Sequence, residues 1–320
     1  MVYLSLIAML LLAAALCAAG VVVLTAFHLI KPPRMEDGKA LHVLKRLTPE
    51  DLALAYEITS FTVNDRGQAL KIAAWWMPAG NSPKSVILLH GFADAKVGAI
   101  AWAPTWHHLG WNVLAIDLRA HGESGGRFCT AGYFERNDLR QIIDQLRSAR
   151  PAASSDIALF GVSLGAAVAT AAAEGRSDLS AVVLDSPYAT YRAAAKAHAD
   201  RLAVPLTFTR TWAVWLAERI TGALYGQIDP IDLLPKLSCP ALVFHGNADT
   251  SISAEVLAQF AAIDRPRYRH VVVPGATHNM AMHVDPQQYA DTIAAFLRQS
   301  PAPAAGAGVV TSDAVTKKHD

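Results

Sequence analysis

The chain has 320 residues, 52% of them hydrophobic and 17% charged, and a formal net charge of +1, which suits one large α/β domain carrying extra segments at its ends. Near-neutral charge without a dense Lys/Arg run leaves no electrostatic footprint for nucleic acid, and that class of partner is set aside. Cys17, Cys129 and Cys239 are scattered, odd in number and lack C-x-x-C spacing, H-E-x-x-H is absent, and the adjacent His107 and His108 point to different sides of a helix, so neither a disulfide framework nor a metal site is expected.

No Asp, Glu, Lys or Arg occurs from Val2 through Leu29. As a helix this run is about 42 Å long, against a hydrocarbon core of roughly 30 Å, so residues 1–30 are expected to form a single transmembrane anchor. A cleaved signal peptide is the competing reading. It lacks a basic n-region here, and the apolar run continues through Val21-Val22-Val23-Leu24 past the small residues Ala18-Ala19-Gly20. A lipoprotein at Cys17 fits poorly because the bulky Leu16 precedes it. Lys31, Arg34, Lys39, Lys45 and Arg46 all follow the span, and the positive-inside bias places the following domain on the cytoplasmic side, although a large domain can translocate against modest charge.

Residues 31–55, with Pro32-Pro33 and Pro49, read as a juxtamembrane linker with one short helix. Tyr56 to Val63 alternates, Asn64-Asp65-Arg66-Gly67 turns, and Ala69 to Met77 is apolar, which predicts an opening hairpin. Short continuous apolar runs then recur between helix-like segments: Ser85–Leu89, Asn112–Ile116, Asp156–Phe160, Ala181–Leu184, Ala241–Phe244 and His270–Val273. Such runs indicate a parallel sheet covered on both faces, so the fold class is a doubly wound α/β domain over residues 56–300. Residues 185–240 are too long for an ordinary crossover, and a helical lid is expected at about 190–235, clearest where Trp212, Trp215, Leu216, Arg219 and Ile220 recur at helical spacing before Gly222. Its aromatics read more readily as packing than as substrate wall. The Ala/Pro/Gly-rich and then polar tail, 301–320, is expected to be disordered.

Gly161-Val162-Ser163-Leu164-Gly165 lies where the Asp156 strand gives way to an alanine-rich helix from about Leu164 through Ala173. A serine on that sharp turn, flanked by glycines that let backbone pack close, is the pattern of a nucleophile elbow. The pattern alone arises readily by chance, and a tight-turn serine without chemistry is the bland reading. A nucleophilic serine needs a base within hydrogen-bond reach and a partner that orients the base. Asp249 follows the Ala241 strand and His278 follows the His270 strand, each at a strand's carboxyl end, where open α/β sheets place their sites. Asp185, also at a strand end, is the rival acid. An oxyanion hole is expected from the Leu164 amide and from the amide of Phe92 after Leu88-Leu89-His90-Gly91, with Ala93 as the alternative. His90, His121 and His245 each precede a glycine in a strand-end loop and read as structural residues. His283 lies close enough to His278 to be confused with it, and the Gly275-Ala276-Thr277-His278 setting decides for His278.

With these motifs in order, His90-Gly91, Asp117 to Gly126, the elbow, Asp185-Ser186-Pro187-Tyr188, His245 to Asp249 and the final His278, the chain resembles the α/β-hydrolase superfamily over roughly residues 55–300, and within it the membrane-anchored abhydrolase-domain serine hydrolases. The order Ser163, Asp249, His278 is that of the family. The family's Asp-x-Arg-Gly-x-Gly-x-Ser loop reads here with Ala120-His121-Gly122 in place of the commoner first glycine, a variation expected to be tolerated.

The resemblance implies carboxylic ester or thioester hydrolysis through an acyl-enzyme with no cofactor. The anchor, the lid tryptophans and Arg201, Arg210 and Arg219 suit an acyl-lipid substrate, and a soluble small-molecule ester is the alternative. A peptidase or acyltransferase would use the same triad, and a catalytically silent scaffold is the non-enzyme alternative. Halide release or epoxide opening would want an aspartate at position 163.

Overall fold

The computed structural model describes residues 1–205 and 207–299; the tail expected at 301–320 lies outside them. Eight strands form one sheet in the order β1-β2-β4-β3-β5-β6-β7-β8. They are β1 (Glu57–Asp65), β2 (Gln68–Met77), β3 (Lys84–Leu89), β4 (Asn112–Ile116), β5 (Asp156–Val162), β6 (Ala181–Asp185), β7 (Ala241–Gly246) and β8 (Tyr268–Val273). The opening hairpin β1–β2 is antiparallel, from Glu57 opposite Trp76 to Asp65 opposite Gln68, and β2 joins β4 antiparallel. Every later pairing is parallel. The reason is legible in β3, where Val86, Ile87, Leu88 and Leu89 are all fully buried, so both faces of the strand meet core.

Helices of eight residues or more among the described residues are α1 (Val2–Ile30), α2 (Asp37–Leu44), α3 (Glu135–Ala149), α4 (Leu164–Ala173), α5 (Tyr191–Arg201), α6 (Thr207–Thr221), α7 (Ala254–Ala261) and α8 (Pro286–Gln299). On one face of the sheet α4 lies wholly buried beneath α3, whose Leu139, Ile142, Ile143 and Leu146 form an apolar stripe. On the other, Trp102 and Trp106 pack on Phe160 with Ile293 and Phe296 of α8. Burying Phe160 contributes roughly 1.5–3 kcal/mol on its own.

α1 is long and apolar enough to cross a membrane by length and composition. Met1 to Cys17 are exposed, whereas Ala26, Leu29 and Ile30 are buried against the domain, and the Ile30 carbonyl accepts from the Cys129 amide at 2.8 Å. α6 packs along α1. Besides Val214, its buried positions recur every four residues and are small, Thr209, Ala213, Ala217 and Thr221, which lets helix axes approach closely.

The segment read as a linker is tied down. Besides α2 it holds a 3-10 turn at Pro49–Leu52, Arg34 donates to the carbonyls of Gly122 and Ser124, and Arg46 donates to Val97 and Gly98.

Candidate active site

The sheet order reverses at β3, which has β4 on one side and β5 on the other. Crevices form at the carboxyl ends of strands at such a point, and Phe92, Ser163, Asp249 and His278 all follow strand ends there: β3, β5, β7 and β8.

Ser163 is the N-cap of α4 and adopts φ +52°, ψ −110°, a conformation rarely tolerated by a side-chain-bearing residue. Two packing facts hold it there. A Cβ on Gly161 would stand 2.2 Å from the Gly165 carbonyl oxygen, and one on Gly165 would stand 2.2 Å from that of Leu89. Only glycine at both positions lets α4 start directly against β3 and β5. The Ser163 amide donates to the Asp185 carbonyl at 2.9 Å, which seats the turn on β6.

His278 Nε2 lies 3.1 Å from Ser163 Oγ, and its Nδ1 lies 2.6 Å from Asp249 Oδ2. The Asp249 side chain is fully buried, while that of His278 is about a quarter exposed. Burial works to raise the Asp249 carboxyl, yet the hydrogen bond from His278, with the Ser251 amide at 2.7 Å, holds it below the usual carboxylate range. With Asp249 ionised, His278 Nδ1 carries the proton and Nε2 faces the serine as an acceptor, an assignment that follows from the hydrogen bonds. The two loops are locked together: Ala248 donates to Ala276 at 3.0 Å, and Gly275 donates to the Asn247 side chain at 2.7 Å.

Asp185 faces elsewhere. Its carboxylate accepts from Ser186 Oγ and from Tyr289 OH, each at 2.9 Å, and burial pushes its pKa up to about 6. Ser186, itself at φ +52°, also accepts from the Asn279 amide at 3.1 Å, so this buried chain supports the residue next to His278. Sequence reading placed Ser186 in the Asp185-Ser186-Pro187-Tyr188 motif without giving it this role, and it missed Tyr289. The only local hint is a polar pair at the end of an apolar strand.

The Phe92 and Leu164 amides have no acceptor among the described residues. Gly91 sits beside the serine, its Cβ position 3.7 Å from Ser163 Cβ, which brings the loop after β3 to the same spot. The two amides left without acceptors thus lie on the loop after β3 and in the first turn of α4, on either side of the serine turn.

The other strand-end histidines hold structure. His90 accepts the Leu118 amide at 3.0 Å through Nε2, which leaves Nδ1–H to donate to the Gly91 carbonyl at 2.7 Å. Burial keeps it neutral, its pKa well below 6.5. His245, driven to about 4 chiefly by burial, bridges the Pro187 carbonyl and His270. His121 bonds the Arg119 carbonyl. His283 lies in the cleft wall and makes neither of the contacts that His278 makes. Asp117 ties two loops together, accepting from the Lys96 amide and ammonium and from the Glu123 amide. A Cβ on Gly122 would stand 2.3 Å from that carboxylate, which explains why glycine stands there. Among the described residues no three His, Cys, Asp or Glu side chains gather as a metal site.

A cleft of about 710 Å³ opens over Ser163 and His278, walled by Phe92, Asp94, Arg46 and Arg201. A narrower cavity of about 90 Å³ runs from Ser163 toward Tyr188, Tyr191 and Leu29. Between β6 and β7 lie α5 and α6, where the lid is expected. Trp212 and Trp215 line neither cavity and are not packed inside; both are about half exposed on the outer side of α6. Arg210 pairs with Asp200 and Arg219 lies over Trp215, so of the three arginines only Arg201 reaches the cleft.

The family described as serine aminopeptidase, S33, matches residues 80–227, a stretch that includes Phe92 and Ser163 and stops before Asp249. The chain is 28% identical over 233 residues to the uncharacterized protein Rv2307c of Mycobacterium tuberculosis, covering 72% of this chain and 76% of that protein. It is 28% identical over 172 residues to the alpha/beta hydrolase domain-containing protein aho-3 of Caenorhabditis elegans, covering 54% of this chain and 45% of that one. Among solved structures it is similar to the Pyrococcus furiosus esterase Pf2001, with a TM-score of 0.68 and 25% identity over 85% of this chain and 98% of the esterase. A sheet of this order, the sharp turn at Ser163 after β5 and these likenesses lead to one conclusion: the chain has the α/β-hydrolase fold.

Proposed function

We propose that the protein is a serine hydrolase that cleaves carboxylic esters or thioesters through an acyl-enzyme. The observation that carries this reading is the continuous line Ser163 Oγ, His278, Asp249, with spacings of 3.1 and 2.6 Å. Ser163 Oγ attacks the carbonyl carbon while its proton passes to His278 Nε2, and the oxyanion that forms is held by the Phe92 and Leu164 amides. Collapse breaks the bond to the leaving group, which takes the proton from His278. Water then attacks the acyl-enzyme, giving its proton to His278, and the acid leaves as Ser163 recovers a proton. Asp249 holds the His278 tautomer and stabilises the imidazolium. No cofactor enters these steps.

The esterase likeness favours an ester, and an acyl-lipid ester suits a chain whose N-terminal helix is apolar enough to anchor it. In this reading α1 is a single-pass anchor, residues 190–235 are the lid, and the catalytic domain faces the cytoplasm. A reporter fused at the C-terminus tests the orientation. Ser163→Ala tests the chemistry: it is expected to abolish both turnover of p-nitrophenyl esters and labelling by a fluorophosphonate probe. Labelling that persists at another residue overturns the assignment.

The match to a family described as a serine aminopeptidase favours a second reading, peptide hydrolysis by the same residues. Aminoacyl p-nitroanilides cleaved faster than acyl esters would establish it.

A further inference from the structure

α1 forms one wall of a groove that neighbours the serine's cavity. The groove, about 310 Å³, lies between Leu24, Thr25 and Leu29 of α1 and Ala199, Leu202 and Val204 at the end of α5. Leu29 and His198 line both this groove and the narrow cavity that holds Ser163. The partition toward the wider cleft is a stacked pair, His28 on His198, with ring centroids 5.1 Å apart, and Phe92 packs edge-on against His198 at 5.5 Å. Burial drives the His198 imidazole down to about 4, so the partition carries no charge on that side near neutral pH.

We propose that this groove holds the acyl chain of a membrane lipid ester, entering from the bilayer with its carbonyl carbon at Ser163. The inference rests on the hydrolase reading and adds to it a substrate class and a site. Exposure decides where the groove opens. Val2 to Cys17 are exposed throughout and Val23 and Leu24 still are, whereas Ala26, Leu29 and Ile30 are buried, so the helix passes from bilayer to protein between about Val21 and Ala26. Leu24 and Thr25 then stand within one turn of the leaflet surface. Leu202 at the groove's rim and Phe208 and Trp212 on the adjoining α6 are each half exposed. Such side chains sit favourably at the headgroup level. A chain lying in the groove passes from lipid to protein along α1 without crossing water, which makes the anchor helix part of the binding site as well as a tether.

The test uses the full-length protein in lipid vesicles. A dodecanoate carrying a diazirine at its tail is expected to crosslink within residues 24–28 and 199–204, equally in wild type and in Ser163→Ala. Thr25→Trp fills the groove without reaching the serine's cavity and should remove those crosslinks. The same variant should lower kcat/KM for dodecanoyl esters by about tenfold, the equivalent of roughly two buried methylenes, and for acetyl esters, which are too short to reach the groove, by much less. Crosslinks outside the groove, crosslinks that survive Thr25→Trp, or equal losses for acetyl and dodecanoyl esters overturn the proposal. If Ser163→Ala retains ester turnover but the crosslinks fall in the groove, the hydrolase reading fails and the acyl site stands.

Discussion

Gly165 touches Leu89 so closely that a Cβ on the glycine would lie 2.2 Å from the Leu89 carbonyl oxygen and 2.7 Å from that of His90. Both are backbone atoms of the strand-to-loop exit that presents Phe92, and neither can move without shifting β3. Gly165→Ala is therefore expected to cost at least about 2 kcal/mol in urea unfolding, as overpacking against unyielding backbone does. It should also slow fluorophosphonate labelling of Ser163 by moving the first turn of α4 away from Phe92. Normal labelling in a destabilised variant would show that the elbow adapts independently of β3.

Asp249 and Asp185 both end strands, and their contacts predict opposite phenotypes. Asp249→Asn keeps the shape but reverses the hydrogen bond that fixes the His278 tautomer, and a drop of roughly 10³–10⁴ in kcat with KM little changed is expected. Asp185→Asn breaks no contact with His278, since its partners are Ser186 and Tyr289, and its effect on kcat should be at least about tenfold smaller, with loss of stability the larger consequence. Comparable kcat losses in the two variants would mean that Asp185 takes part in orienting the base.

What could be read from the residues and what could not divides along sequence distance. Ser163, Asp249 and His278 stand out because each follows a continuous apolar strand, and strand ends of a parallel sheet share one edge. The support beneath them does not stand out: Tyr289 meets Asp185 across 104 residues, and no local pattern marks a tyrosine on α8 for that contact. α1 shows the limit of periodicity. It is apolar all round, so nothing in its sequence distinguishes exposed Leu10 from buried Leu29, or shows that α6 covers its last turns. The α6 tryptophans show a related limit, because helical spacing places Trp212 and Trp215 near one another without saying which way they face.

Ala120 stands at φ +61° in the loop where the resemblance expects glycine. An L side chain in this region costs roughly 1–2 kcal/mol, partly offset by the freedom that glycine would lose on folding. Ala120→Gly should thus raise the unfolding free energy by about 0.5 kcal/mol or more, whereas the same change inside a helix lowers it by about 1 kcal/mol. Urea denaturation of Ala120→Gly beside Ala169→Gly in α4 checks the contrast. Destabilisation by both would show that the Ala120 methyl contributes more by packing than its backbone costs in strain.

The Tyr289 hydroxyl donates to a carboxyl whose charge changes within an accessible pH range. Burial raises Asp185 from 3.8 to about 6, so its contribution to stability is full below about pH 4 and is lost as pH rises through 6. Between those values the unfolded chain has released the proton that the folded one keeps. Above pH 6 a buried carboxylate depends on Tyr289 and Ser186 as donors; below it the acid is neutral and the same bond is an ordinary one. Tyr289→Phe should therefore cost about 1.5–3 kcal/mol at pH 8 and about 0.5–1.5 kcal/mol at pH 5. Equilibrium urea unfolding of the wild type and Tyr289→Phe at the two pH values measures the difference. A loss that is the same at both, or larger at pH 5, would mean that Asp185 does not ionise across this range in the folded protein, and that its bond to Tyr289 is a neutral one throughout.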